Sequence, residues 1–132
     1  MVNSSPKLRI VIADDEPDVR EFLSRACQLC GFEVVGVAEN GVQLTRCCAD
    51  CSPDLILTDV MMPEVDGLTA LGEIREHVAI PSIVITAHDR PELRLQAAEF
   101  GAVAYLIKPV SLASLRDILK IAEQRVAESR RA

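Results

Sequence analysis

No stretch of the 132-residue sequence is long and apolar enough to span a bilayer. Met1 to Pro6 lack the apolar core of a secretory signal, so a cytoplasmic location is the expectation. Clustered Lys and Arg are missing as well: 14 basic residues face 20 acidic ones, a net charge of −6. Such a surface does not gather nucleic-acid phosphates, because that binding rests on grouped cations. No Gly-x-Gly-x-x-Gly follows the first apolar run, which argues against a dinucleotide-binding domain. Internal repeats, low-complexity segments and interdomain linkers are also absent. What is present is ordinary for one globular domain, with 49% hydrophobic residues to build its core.

The five cysteines are an odd number, which argues against a complete disulfide framework. Cys27 and Cys30, and the group Cys47, Cys48 and Cys51, have spacings that a zinc or redox site could use. Their neighbours favour packing instead. Val19, Phe22, Leu23, Ala26, Cys27 and Cys30 recur at helical spacing, as do Leu44, Cys47, Cys48 and Cys51. Each group extends the apolar stripe of a helix, where free Cys behaves as a small hydrophobe.

Strand and helix signals alternate five times along the chain. Apolar runs at Leu8–Ile12, Phe32–Val37, Leu55–Thr58, Ile83–Ile85 and Ala104–Ile107 read as strands. Helices are expected from Pro17 to near Gly31, from Asn40-Gly41 to Cys51, from Gly67 to about His77, from Pro91 to Phe100, and after a capping Ser111. Fully apolar strands separated by helices make a doubly wound α/β domain with a parallel sheet covered on both faces. Ligands bind such sheets beyond the carboxyl ends of the strands. That rule selects Ala13 to Glu16, Asp59 to Met62, Thr86-Ala87 and Lys108-Pro109.

Among these are three carboxylates, a hydroxyl and an ammonium. Gathered carboxylates repel one another unless a cation joins them, and Mg²⁺ suits a site with a few carboxylates and several waters. Asp59 can act as a carboxylate nucleophile that forms an acyl phosphate. Lys108 offers a point charge and Thr86 a hydroxyl donor for phosphoryl oxygens, the positioning and charge stabilisation that phosphoryl transfer asks for. Taken singly, Asp14-Asp15 could be a helix cap, Asp59 a turn residue and Lys108 a surface charge. Their shared place at one sheet edge makes the joint reading the better one.

The run Ile10-Val11-Ile12-Ala13-Asp14-Asp15-Glu16-Pro17 resembles the opening of bacterial two-component receiver domains. So do Pro53 to Pro63 with Asp66-Gly67 behind it, Ile85-Thr86-Ala87, and Gly101-Ala102 through Tyr105-Leu106-Ile107-Lys108-Pro109. The resemblance implies a flavodoxin-like sheet of order 2-1-3-4-5 with five helices. It implies a domain over residues 8–126, between an N-terminal tail at 1–7 and a helical extension or tail at 127–132. It further implies that Asp59 takes a phosphoryl group from a histidine kinase or phosphotransfer protein. Mg²⁺ would be held by Asp15 directly, by Asp14 largely through water, by Asp59 and by the Met61 carbonyl. Lys108 would contact the phosphoryl group and precede Pro109 through a cis peptide, while Thr86 and Tyr105 would form the switch.

Such a domain catalyses only its own phosphorylation and dephosphorylation. Aspartate-nucleophile phosphatases carry a second Asp two residues past the nucleophile, where this sequence has Met61. His88, two residues past Thr86, is expected to tune the phosphate's lifetime, with a pH dependence in the histidine range. The output is a downstream protein target or an effector domain, without direct nucleic-acid or membrane contact, and leaves room for a phosphorylation-dependent dimer. Leu112, Leu115, Leu119, Ala122 and Val126 have heptad-like spacing, and the first three are expected to face the core.

Overall fold

The computed structural model describes residues 7–131. Five strands, β1 (Arg9–Ala13), β2 (Glu33–Ala38), β3 (Leu55–Thr58), β4 (Ser82–Thr86) and β5 (Ala102–Ile107), pair in parallel in the order β2-β1-β3-β4-β5. Between and after them run α1 (Pro17–Leu29), α2 (Gly41–Cys51), α3 (Gly67–Arg75), α4 (Pro91–Glu99) and α5 (Leu112–Arg131). This is the expected flavodoxin-like α/β fold. The expected tail up to Pro6, and Ala132, lie outside the described residues.

The strand period of two sends alternate side chains to opposite faces. Ile10 and Ile12 join Leu23, Leu57, Ile85, Leu115 and Leu119 in one core layer, which α1 and α5 cover. Val11 and Ala13 join Leu44, Ile56, Leu71 and Val84 in the other, under α2 and α3. The edge strands β2 and β5 are only partly covered. Three helices start on side-chain caps: Asn40 Oδ1 accepts from the Gln43 amide at 2.9 Å, Asp66 Oδ1 from Thr69 at 2.8 Å, and Ser111 Oγ from Ser114 at 3.0 Å. After α1 the chain turns at Gly31, whose φ of +90° suits a residue without Cβ.

Several expectations are corrected. α3 stops at Arg75, short of His77, because the amides of His77 and Val78 both turn back to the Ile74 carbonyl. β5 begins at Ala102 instead of Ala104, because Ala102 already pairs with Ser82 before the register shift beyond it. Leu112 does not face the core: it opens α5 and stays 36% exposed, while Leu115, Leu119, Ala122 and Val126 are buried. Phe22 likewise departs from the stripe of α1 and is exposed.

All five cysteines are free, Cys27 and Cys48 fully within the core and the others half-buried. Among the described residues, the only cluster of three close metal-ligating side chains contains no cysteine. Cys51 Sγ donates to the Val35 carbonyl at 3.5 Å and Cys47 Sγ to the Val37 carbonyl at 3.9 Å. Burial, helped by the neighbouring thiols, pushes Cys27 and Cys48 up to about 12. A thiol is reactive only as thiolate. At neutral pH, alkylation by iodoacetamide followed by peptide mass spectrometry should label these two roughly ten-fold or more slowly in the folded protein than in urea. Equal rates would show that they are not protected.

Candidate functional site

Sheet register puts the site residues level with one another. Ala13 pairs with Thr58, and the Asp59 amide donates to the Ala13 carbonyl at 3.0 Å. The Asp14 amide continues the ladder to the Ala38 carbonyl at 3.1 Å, and the Lys108 amide donates to the Thr86 carbonyl at 2.9 Å. Asp14, Asp59, Thr86 and Lys108 are thus each tied to the sheet by backbone bonds at its carboxyl edge. The Lys108–Pro109 peptide is cis.

Asp14, Asp15 and Asp59 bring carboxylate oxygens within 4.8 Å of one another. Asp14 is fully buried and Asp59 nearly so, while Asp15 is exposed. Lys108 Nζ donates to Asp59 Oδ2 at 2.8 Å and lies 2.9 Å from Asp14 Oδ2 and 3.4 Å from Glu16 Oε1. One ammonium therefore serves three carboxylates, with Asp15 beside them. The contact with Asp14 Oδ2 is an ion pair whose geometry falls short of a hydrogen bond, so this buried oxygen is paired by charge but accepts no hydrogen bond. Burial holds the Asp14 carboxyl above the usual carboxylate range, reinforced by the Asp59 charge, and Lys108 and the Glu16 amide offset this only in part. For Lys108, burial would depress the ammonium, but the hydrogen bond to Asp59 and the ion pair with Asp14 outweigh it and hold its pKa above the ordinary lysine value. Three gathered carboxylates, one with a buried oxygen that accepts no hydrogen bond, are what a divalent cation fits.

The loop after β3 is shaped around Asp59. Its Oδ1 accepts from the Met61 amide at 3.2 Å, and its carbonyl accepts from Thr58 Oγ1 at 2.9 Å. Gly67 donates its amide to the Val60 carbonyl at 2.8 Å. A Cβ on Gly67 would stand 1.9 Å from the Asp59 carbonyl oxygen.

Thr86 is fully buried at the end of β4, and its Oγ1 accepts from the His88 amide at 3.4 Å. Tyr105, half-buried on β5, donates its hydroxyl to the His88 carbonyl at 2.5 Å. Residues of the expected site thus meet at one edge, with Tyr105 reaching the loop beside it. The His88 side chain is exposed, and it is this residue's backbone that both Thr86 and Tyr105 touch. Sequence reasoning passed over three contributors. Glu16 stood among the residues after the first strand and was assigned no role, yet it reaches Lys108. Arg20 Nη1 donates to the Asp14 carbonyl at 2.7 Å, and its place one turn into α1 was the available signal. Arg94 lies 4.7 Å over the Tyr105 ring, which no local pattern announces.

Residues 10–120 match the response regulator receiver domain family. The chain belongs to that family. The receiver is 44% identical over 117 residues to the regulatory protein AtoC of Escherichia coli, covering 88% of this chain and 25% of AtoC. It is 36% identical over 120 residues to the transcriptional regulatory protein PdtaR of Mycobacterium tuberculosis, covering 91% of this chain and 58% of PdtaR. Over 102 residues it is 38% identical to the chemotaxis protein CheY of Bacillus subtilis, covering 76% of this chain and 85% of CheY. The solved signal receiver domain of NarL from Mycobacterium tuberculosis superposes with a TM-score of 0.82 at 31% identity, covering 90% of this chain and 98% of that one. The receiver spans a quarter of AtoC and just over half of PdtaR. Receivers are signalling domains of two-component systems, not enzymes of metabolism, and as a family they bind Mg²⁺ at an acidic pocket and engage histidine kinases and effector domains. No helix among the described residues is long and apolar enough to cross a membrane.

Proposed function

We propose that this receiver accepts a phosphoryl group on Asp59 from a phosphohistidine of a sensor kinase or phosphotransfer protein. The observation that carries this reading is the single Lys108 ammonium shared by Asp59 and Asp14, whose buried Oδ2 it pairs by charge without a hydrogen bond. An Asp59 carboxylate oxygen attacks phosphorus, the O–P bond forms, and the P–N bond breaks with its electron pair leaving on the imidazole nitrogen. Lys108 turns from Asp59 to the phosphoryl oxygens, and the Thr86 hydroxyl donates to another of them. Asp14, Asp15 and Asp59, with the Met61 carbonyl, would hold Mg²⁺. When bound, that ion supplies the positive charge the carboxylates and the phosphoryl group lack between them. Tyr105 then reports the change to the surface that a downstream protein or effector domain reads, and His88 tunes how long the phosphate lasts.

Incubation with acetyl phosphate and Mg²⁺ should add the mass of one phosphoryl group, and Asp59→Asn or excess EDTA should abolish the gain. An unmodified wild-type protein after that incubation would sink the reading.

A further inference from the structure

The loop after β4 is joined to Tyr105 twice. The His88 carbonyl accepts from the Tyr105 hydroxyl at 2.5 Å. Asp89, the next residue, accepts at 2.8 Å from Arg94 Nε, and the Arg94 guanidinium lies over the Tyr105 ring at 4.7 Å from its centre. Arg suits both contacts at once, because its planar guanidinium stacks on an aromatic face while Nε–H still donates in the plane. α4, which carries Arg94, buries only Ala97, so little apolar packing competes with these ties for control of its first turns.

The same loop meets the phosphorylation site through Thr86. The Thr86 hydroxyl oxygen accepts from the His88 amide at 3.4 Å. In this arrangement Thr86 acts as an acceptor, and its own proton is free to be donated. Thr86 is fully buried at the strand end, and its carbonyl is held by the Lys108 amide. Residue 88 therefore stands between the donor that would meet the phosphoryl group and the tyrosine that would report it.

We propose that Arg94, held by Asp89 and laid over Tyr105, is a positioning residue that favours the arrangement in which Thr86 donates to a phosphoryl group on Asp59. The inference rests on the reading of Asp59 as phospho-acceptor given above. Arg94 touches neither Asp59 nor the phosphoryl group; it acts by keeping Tyr105 against the His88 carbonyl. Loosening Tyr105 releases residue 88, and with it the bond that orients the Thr86 hydroxyl.

The protein has one tyrosine and no tryptophan, so its tyrosine emission reports residue 105 alone. Arg94→Ala should raise acrylamide quenching of that emission roughly two-fold, since the cation covering the ring is lost. It should also raise the concentration of beryllofluoride, a tetrahedral phosphoryl mimic, needed in saturating Mg²⁺ for half of the thermal-unfolding shift. An exposed-to-partly-buried cation–π contact corresponds to roughly a two- to five-fold change. Arg94→Lys should recover part of the quenching protection and part of the affinity, and Asp89→Asn should fall between wild type and Arg94→Ala. The Arg94 side chain is 44% exposed, so these variants should fold with unchanged urea midpoints, and an affinity loss would not be a folding defect. A wild-type protein that responds to beryllofluoride, with Arg94→Ala matching it in quenching and half-saturation, would overturn the role of Arg94 alone. A wild type with no response would overturn the phospho-acceptor reading, and this inference with it.

Discussion

Gly67→Ala should lower the unfolding free energy by roughly 3 kcal/mol, as expected for an overpacked site that cannot relax cheaply, and should remove most phosphorylation by acetyl phosphate. A methyl group there would lie 1.9 Å from the Asp59 carbonyl oxygen and 3.1 Å from Thr58 Oγ1. Neither neighbour is the far end of a flexible side chain. The Asp59 carbonyl is fixed by the Thr58 hydroxyl and its amide by Ala13, while Gly67 is bound to Val60. The chain can make room only by moving the loop that aims the Asp59 carboxylate or by shifting the start of α3. Urea unfolding and phosphoryl incorporation read the two effects separately. A stable Gly67→Ala protein with normal phosphorylation would show that the loop is far softer than its contacts imply.

Lys108→Met should be nearly as damaging, and its effect should depend on Mg²⁺. The substitution keeps the length of the side chain and removes the cation between two buried carboxylates. Removing one partner of a buried pair typically costs about 3 kcal/mol, because the charge left behind is uncompensated. Excess Mg²⁺ should restore about half of that loss by giving Asp14, Asp15 and Asp59 another cation. Phosphoryl incorporation should stay low in both conditions, since the ammonium proposed to meet the phosphoryl oxygens is gone. The pH dependence follows from Asp14. Its carboxyl binds a proton more tightly in the folded protein than in the unfolded chain. Its contribution is therefore fully present below the ordinary aspartate pKa and is lost as pH rises through the higher folded value. Without Lys108, one of the influences holding that value down is removed, so the window widens upward. The variant without Mg²⁺ should accordingly recover stability on acidification sooner than wild type. Equal urea midpoints with and without Mg²⁺ would argue against a cation at these carboxylates.

The strands were legible because each is a short apolar run with no helical period, and the helices because Pro, Gly and capping side chains mark their ends. The edge that carries the candidate site was legible for a topological reason: in a parallel sheet every strand delivers its next residue to the same side, so reading past four of the five strands assembles it. Other features depend on distances between elements that no local pattern encodes. Periodicity shows which face of α5 is apolar but not where the sheet stops beneath it, which is why Leu112 is exposed and Val126 buried. Gly67 reads as a helix start, yet its decisive neighbour is the Asp59 carbonyl. Arg94 and Tyr105 meet only because α4 lies beside β5. For His88, attention to the imidazole obscured the more connected group, its own backbone.

The thiols of α2 have a consequence for how molecules of this protein behave toward one another. Ala38 gives its carbonyl to the amide of Asp14, just past β1, so strand alternation leaves the Val37 carbonyl turned outward from the sheet, and Val35 stands at the register shift between β1 and β2. The carbonyls of Val35 and Val37 are the two that Cys51 and Cys47 approach. One helical turn of α2 nearly matches two residues of strand, which lets thiols four apart meet carbonyls two apart. An unpaired outer strand is a template for strand addition and aggregation. Here two of its acceptors are engaged by groups from the same chain, so a second copy of the protein finds less to pair with at that border.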